Sequence, residues 1–449
     1  MCIRDSVKRI YIFLLCFAVL LPVGGKTAQA KEQAGEQYLL LEHVKDKSKL
    51  LDTAEQFHIH ADVIEEIGFA KVTGEKQKLA PFTKKLAEKV GADVIEKPIA
   101  NTAVNETESV ISGSPAWGLD GILELKEYLW FAAKQTDSYR TYQIERGHPD
   151  VKVALIDSGL DLDHPDLKAS VNTNGGWNYI DGKPVSGDPA GHGTQTAGMI
   201  NIIAPDVTIT PYQVLDEKGG DSYNIMKAMV DAVNDGHEVI NISTGSYTSL
   251  DREGKVLMKA YQRAANYAAK HQVLVFSSAG NKGVNLDEMR KTENKVHLPS
   301  ALKHVVSVGS NMKSNNISPY SNQGREIEFT APGGYLGETY DQDGMVRVTD
   351  LVLTTYPKGK DNTALDQMLN IPKGYSLSYG TSLAAPQVAG TAALVISEYR
   401  ERHHRKPSAK QVHHILRKSA LDLGKPGKDV IYGYGEVRAY QALKMMNKE

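Results

Sequence analysis

Val151-Lys152-Val153-Ala154-Leu155-Ile156-Asp157-Ser158-Gly159 is an apolar run that ends on an acid and a turn. Apolar residues in succession, without polar alternation, read as a strand buried on both faces, the kind a parallel sheet uses. Farther along the chain, such runs return. Val207 to Leu215 leads into a helix near Asp221 to Asn234. Val239 to Ile242 precedes a helix from Lys255 to His271, and Val273 to Phe276 and Val305 to Val308 add two strands. Strands of this type alternating with helices imply an α/β unit with a mostly parallel sheet and helices on both faces. Asp157 then stands at the carboxyl edge of the sheet, where open α/β sheets bind their ligands.

Three further stretches carry chemistry. Gly380-Thr381-Ser382-Leu383-Ala384-Ala385-Pro386 presents a serine where a buried helix, Leu383 to Tyr399, begins. A hydroxyl there meets the positive end of a helix dipole, and the serine's own N–H is an unpaired first-turn donor. Gly191-His192-Gly193-Thr194 sets a candidate base between two glycines, with room for a short helix after it. Asn281 follows the strand Val273 to Phe276 and the turn Ser277-Ser278-Ala279-Gly280, and is a candidate oxyanion donor. Each residue also has a plain structural role open to it: capping Asp, loop His, turn Asn, N-cap Ser. Together, each at a strand or helix end, they fit a serine nucleophile, its base, an orienting carboxylate and an oxyanion donor.

With these motifs, and with His164-Pro165-Asp166-Leu167, the chain resembles the subtilisin-like serine proteases from Trp117 onward. The order Asp, His, Ser is that of the family. The resemblance implies peptide-bond hydrolysis through an acyl-enzyme, with Asp157, His192 and Ser382 catalytic and Asn281 in the oxyanion hole. It also implies two substrate-binding walls, Ser243-Thr244-Gly245-Ser246 and Ala279-Gly280, flanking an extended peptide held by main-chain hydrogen bonds. No preference for the substrate side chain follows: Lys282 disfavours a nearby cation, and Asp287, Glu288 and Glu293 offset it.

The front of the chain reads as export and packaging. Lys8-Arg9, the apolar run Ile10 to Val23 and Ala28-Gln29-Ala30 form a signal peptide over residues 1–30, too short to span a membrane comfortably. The expectation is a secreted, extracellular protein with no stable membrane anchor after cleavage; residues 1–6 do not look like part of a signal. Both cysteines, Cys2 and Cys16, precede the cleavage site, so the exported chain has no disulfide and no thiol nucleophile. Residues 31–100 show a βαββαβ pattern: strands at Gln37 to Glu42, Asp62 to Glu66, Gly68 to Val72 and Ala92 to Glu96, helices at Lys49 to Phe57 and Leu79 to Val90. That suggests a small α+β ferredoxin-like domain. By resemblance it is an inhibitory propeptide; a substrate-binding module kept in the mature enzyme is the other reading. Residues 101–114 are polar and aperiodic, a linker suited to the maturation cut, in cis or in trans. The peptidase domain is residues 115–449.

Two departures from the family matter. The chain reaches Ala204-Pro205-Asp206 soon after His192, without the longer loop that holds a tight calcium in many subtilisins, so no metal and no cofactor are expected. Asp161, Asp163 and Asp166 read instead as a turn and a helix N-cap. Second, a long insertion separates Gly333-Gly334 from Gly380. Its phrases Leu353-Thr354-Thr355-Tyr356-Pro357 and Ile371 to Tyr379 resemble the lantibiotic leader peptidases, which remove the leader of a modified peptide antibiotic. The end, Lys444 to Glu449, shows no sorting motif, so a freely released form is expected.

The pairs His403-His404 and His413-His414 invite a metal, but helix neighbours point apart and the setting is basic, so they read as solvated surface. His58 and His60 read as exposed. A net charge of −2 gives no basic surplus for nucleic acid. Three functions remain to weigh: a processing protease acting on a lantibiotic-type precursor, a degradative extracellular protease, and a catalytically dead peptide binder.

Overall fold

The computed structural model describes residues 36–90, 93–94 and 125–447. The expected signal peptide and linker lie outside these residues. The N-terminal unit runs β1 (Glu36–Glu42), α1 (Lys47–Gln56), β2 (His60–Ile64), β3 (Phe69–Glu75), α2 (Lys76–Val90) and β4 (Asp93–Val94). Its sheet order is β2-β3-β1-β4, antiparallel throughout. This is the βαββαβ unit that the sequence pattern gives, with a core of Leu39, Leu41, Leu50, Val72, Phe82 and Leu86.

After α3 (Trp130–Thr136) the chain enters the large sheet at β5 (Lys152–Asp157). There follow β6 (Trp177–Asn178), α4 (His192–Ile203), β7 (Thr208–Gln213), the short pair β8 (Leu215–Asp216) and β9 (Gly219–Gly220), and α5 (Ser222–Asn234). Next come β10 (Val239–Ile242), β11 (Ser246–Ser249), α6 (Arg252–Lys270), β12 (Leu274–Ser278), α7 (Leu286–Thr292), β13 (Lys295–Leu298), β14 (Val305–Asn311) and β15 (Ile327–Pro332). The insertion holds α8 (Tyr340–Asp343), β16 (Val352–Thr355), α9 (Ala364–Met368) and β17 (Tyr375–Ser378). The chain closes with α10 (Thr381–His403), α11 (Ala409–Ser419) and α12 (Ala439–Met446).

Seven strands form one sheet, ordered β15-β14-β12-β10-β5-β7-β6, and every pairing in it is parallel. Period-2 alternation sends successive side chains to opposite cores. Val153 and Leu155 join the core under α4 and α10, while Ala154 and Ile156 join the core under α5 and α6. The helix from Thr381 is buried from Thr381 to Tyr399, which is why its sequence is apolar all round. From β5 the chain moves outward to β7, then crosses back over β5 to β10. That reversal opens a crevice at the carboxyl ends of β5 and β10.

The N-terminal unit lies on α5 and α6. Its Leu40, Ile64, Ile67 and Phe69 share one core with Tyr223, Leu257 and Tyr261. Ions frame this contact: Lys227 pairs with Asp62 at 2.6 Å, Arg263 with Glu42 at 3.2 Å, and Lys71 with Asp221, the N-cap of α5. The ring of Phe69, fully buried, stacks on Tyr223 with centroids 6.1 Å apart. Phe69→Ala removes a buried ring at a cost of about 3–5 kcal/mol, shared between the unit's core and its seat. After nicking between residues 95 and 124, the wild-type unit should co-elute with the rest on a sizing column, and the variant unit should separate.

Two sequence expectations fail here. Asp161 to Asp166 begin turns, and no helix follows them. His413 is not solvated surface: its Nε2 meets Glu328 at 2.5 Å, and its ring lies against Phe329 and Tyr434. The pattern of neighbouring histidines carried no sign of a carboxylate on a strand far away in sequence.

Candidate active site

The crevice gathers the ends of β5, α4, β12 and α10. Asp157, the last residue of β5, is fully buried. Its Oδ1 accepts from His192 Nδ1 at 2.7 Å and from the Ser158 N–H at 2.7 Å, and its Oδ2 accepts from Thr196 Oγ1 at 3.2 Å. A carboxylate facing Nδ1 keeps the proton on that nitrogen, so Nε2 is the base nitrogen.

His192 is the first residue of α4, which has no side-chain cap of its own. Its first-turn N–H groups are taken by side chains from other loops. Gly193 N donates to Ser158 Oγ at 2.8 Å, and Thr194 N donates to Asp188 Oδ2 at 2.7 Å. Asp188 also accepts from Ser158 Oγ and Thr194 Oγ1, both at 2.7 Å, and from Gly191 N at 2.8 Å. One buried carboxylate thus ties the Asp157 turn to the His192 turn. Gly193 is required by the closeness of these turns, since a Cβ there would stand 2.0 Å from the Gly159 carbonyl.

Ser382 is the second residue of α10 and is 6% exposed. Pro386, four residues on, has no N–H to give the Ser382 carbonyl. Ser243 Oγ takes that carbonyl instead, at 2.8 Å. The serine's backbone is therefore pinned from the opposite side of the crevice. Asn281 is pinned too: its Oδ1 accepts from Thr381 N at 3.0 Å and Thr381 Oγ1 at 2.7 Å. With the oxygen so used, the amide nitrogen is the end that can donate to a ligand.

The expected walls have distinct states. Ser243, Thr244 and Gly245 lie between β10 and β11, outside any ladder, whereas Ser246 is already paired with Leu298. Ala279 gives its N–H to the Val308 carbonyl, at 2.9 Å, and its own carbonyl accepts from Asn322 Nδ2 at 2.8 Å. Gly245 and Gly280 close over the buried ring of His297. A Cβ would come 2.5 Å from its Cε1 at the first position and 3.0 Å from its Nε2 at the second. Behind His297, burial pushes the Glu326 carboxyl up to about 7. Lys282 lies 3.8 Å over the Tyr247 ring, while Asp287, Glu288 and Glu293 pair with Arg325, Lys291 and Lys295. Each of the three acids thus has a cation of its own, and Glu293 also feels the charge of Lys282.

Sequence reading proposed Asp157, His192, Asn281 and Ser382; the structure pairs Asp157 with His192 at 2.7 Å and holds Asn281 on Thr381, the neighbour of Ser382. It missed Asp188, Ser158, Thr196 and Thr381. The available signal was Asp188 four residues before His192 and Thr381 beside Ser382. Asp161, Asp163 and Asp166 do not gather round a common centre: Asp161 accepts from Lys358 N at 2.9 Å and Asp166 from the Tyr375 hydroxyl at 2.5 Å. Among the described residues one carboxylate group, Glu145, Glu398 and Glu401, has oxygens within 4.8 Å of one another; Glu398 is near the end of α10 opposite Ser382.

A parallel sheet with an Asp, a His and a Ser at its carboxyl edge, in that chain order, is the arrangement of the subtilisin-like serine proteases. Residues 148–435 match the family model described as the Subtilase family, and the chain belongs to that family. Residues 40–96 match a second model, the LicP N-terminal prodomain. The chain is 29% identical to the epidermin leader peptide-processing serine protease EpiP of Staphylococcus epidermidis, over 72% of this chain and 76% of that protein. It is 28% identical to the nisin leader peptide-processing serine protease NisP of Lactococcus lactis subsp. lactis, over 68% of this chain and 49% of that one. A solved structure described as a lanthipeptide protease is 98% identical, with a TM-score of 0.72, over 75% of this chain and 100% of that chain.

Proposed function

We propose that this protein is a secreted processing endopeptidase that removes the leader from a lantibiotic-type precursor peptide, with Ser382 as nucleophile. The observation that carries the reading is the fully buried Asp157 carboxylate, 2.7 Å from His192 Nδ1, in the crevice where α10 presents Ser382. Ser382 attacks the peptide carbonyl. His192 Nε2 takes the hydroxyl proton and passes it to the leaving amine, and Asp157 stabilises the imidazolium. The Asn281 amide and the Ser382 N–H receive the developing oxyanion. The acyl-enzyme is then hydrolysed by water along the same path. An extended substrate main chain pairs with Ser243 to Gly245. Residues 31–100 act as propeptide, and the maturation cut falls within residues 101–114.

The choice of precursor leader over bulk protein rests on the relatives: EpiP and NisP are leader-processing enzymes by name, and the N-terminal match is to a prodomain. Secretion rests on the signal-like residues 1–30. Among the described residues, no helix is long and apolar enough to cross a membrane.

The test is a competition between a lanthipeptide precursor and unmodified casein, followed by mass spectrometry. One cut at the leader boundary with casein left nearly whole supports the reading; broad casein cleavage makes the enzyme a degrader. Asn281→Leu keeps a side chain of similar size but removes the donor. Turnover of the precursor should fall by about 10²–10³-fold, the range known for the equivalent group in subtilisin, with little change in KM. A steady-state comparison of kcat and KM checks it.

A further inference from the structure

The insertion is fastened to the helix that carries His192. Thr355 and Thr354 of β16 donate their hydroxyls to the carbonyls of Thr194 and Gln195, each at 2.6 Å. The next residue, Tyr356, lies against Gly191, where a Cβ would stand 2.7 Å from the ring. Beyond Pro357 the loop reaches Lys360. Its ammonium donates to the Pro189 carbonyl and pairs with Glu217 at 3.0 Å. Pro189 is three residues before His192, and Glu217 lies in the turn between β8 and β9.

Rigid anchors hold this loop in place. Lys358 N donates to Asp161 at 2.9 Å, and His164 Nε2 donates to the Gly374 carbonyl at 2.7 Å. Asp366 is fully buried and accepts from Thr363 and Ser376 hydroxyls, both at 2.7 Å, and from Leu377 N at 2.8 Å.

The β8–β9 pair rises from the sheet next to Asp157, since Val214 N donates to the Asp157 carbonyl at 2.9 Å. Its strand Gly219–Gly220 is hydrogen-bonded in a ladder only to β8 among the described residues. Gly219–Gly220 and Ser243–Gly245 thus offer two backbone edges beside the crevice, and a peptide lying between them passes His192. We propose that Lys360 is a specificity-determining residue: by bridging to Glu217 and the Pro189 carbonyl, it closes the flank of the groove beside His192. A substrate residue with a small side chain fits there, and one with an aromatic side chain does not. This rests on the reading of Asp157, His192 and Ser382 as the hydrolytic site.

The Lys360 side chain is 30% exposed and that of Glu217 66%, so the bridge is an openable one. The test scans a peptide library at each position before the scissile bond, with rates divided by the number of sites labelled by a fluorophosphonate. Misfolded molecules then drop out of the count. In Lys360→Ala, the aromatic-to-alanine rate ratio should rise at one position by about five-fold, the upper reach of an exposed ion pair. Lys360→Glu, which repels Glu217, should raise it further, and Lys360→Arg should leave it near the wild-type ratio. The exchange Lys360→Glu with Glu217→Lys should bring it back down. No change at any position, equal change at all positions, or a rise that the exchange does not reverse overturns the proposal. A wild-type enzyme that takes no label overturns the hydrolytic reading, and the proposal with it.

Discussion

Ser382→Ala should lower turnover of a peptide substrate by about 10⁶-fold, the size of the loss known for the nucleophile of subtilisin. In barrier terms that is about 8 kcal/mol. The change is small in volume and leaves the backbone restraints in place. Ser243 Oγ still meets the carbonyl of residue 382, and Thr381 still holds Asn281. Folding should therefore be intact, and the thermal midpoint should stay within a few degrees of wild type. The same variant reports on maturation. Intact mass should show the wild-type chain losing about its first hundred residues on standing while the variant keeps them. Equal loss in both would assign the cut to another protease. Loss in neither would make the N-terminal unit a permanent domain.

Asp157→Asn should cost about 10⁴-fold in kcat, or about 5 kcal/mol. The amide fits the site. Its oxygen can keep the His192 and Ser158 donors, and its nitrogen can face Thr196, whose hydroxyl also meets the Gly193 carbonyl at 3.0 Å. What disappears is the charge. The imidazolium that would form when His192 takes the serine proton would lie against a neutral group at the fully buried position 157. Because the geometry survives, KM should move little. A loss under ten-fold would remove Asp157 from this role. Steady-state kinetics on one peptide decides it.

Much of this was legible because the proposed catalytic residues stand where local pattern changes. Asp157 ends an apolar run, His192 and Ser382 start helices, and Asn281 ends a strand turn. Each is therefore marked by its own neighbours. The supporting residues are not. Asp188 matters through Ser158, thirty residues earlier, and Ser243 through a carbonyl 139 residues later. Pro386 explains that last bond, yet its meaning shows only when the partner is known. The resemblance put Ser246 in an edge for substrate, and no local pattern showed that β11 pairs it with β13, about fifty residues on. The histidine pair at 413 and 414 misled for the same reason. The insertion was visible as extra length, but its attachment to α4 depends on hydroxyls of Thr354 and Thr355, a residue type common on any strand.

The position of α10 has a consequence for biosynthesis. Asp157 and Ser382 are 225 positions apart, and the helix that presents the serine fills the core from Thr381 to Tyr399. A growing chain that ends before this helix lacks both the proposed nucleophile and the body that seats it. Ribosomes would thus handle an inert polypeptide until α10 has been made. A nascent chain stalled at residue 379 should take no fluorophosphonate, and one released at its full length should take it.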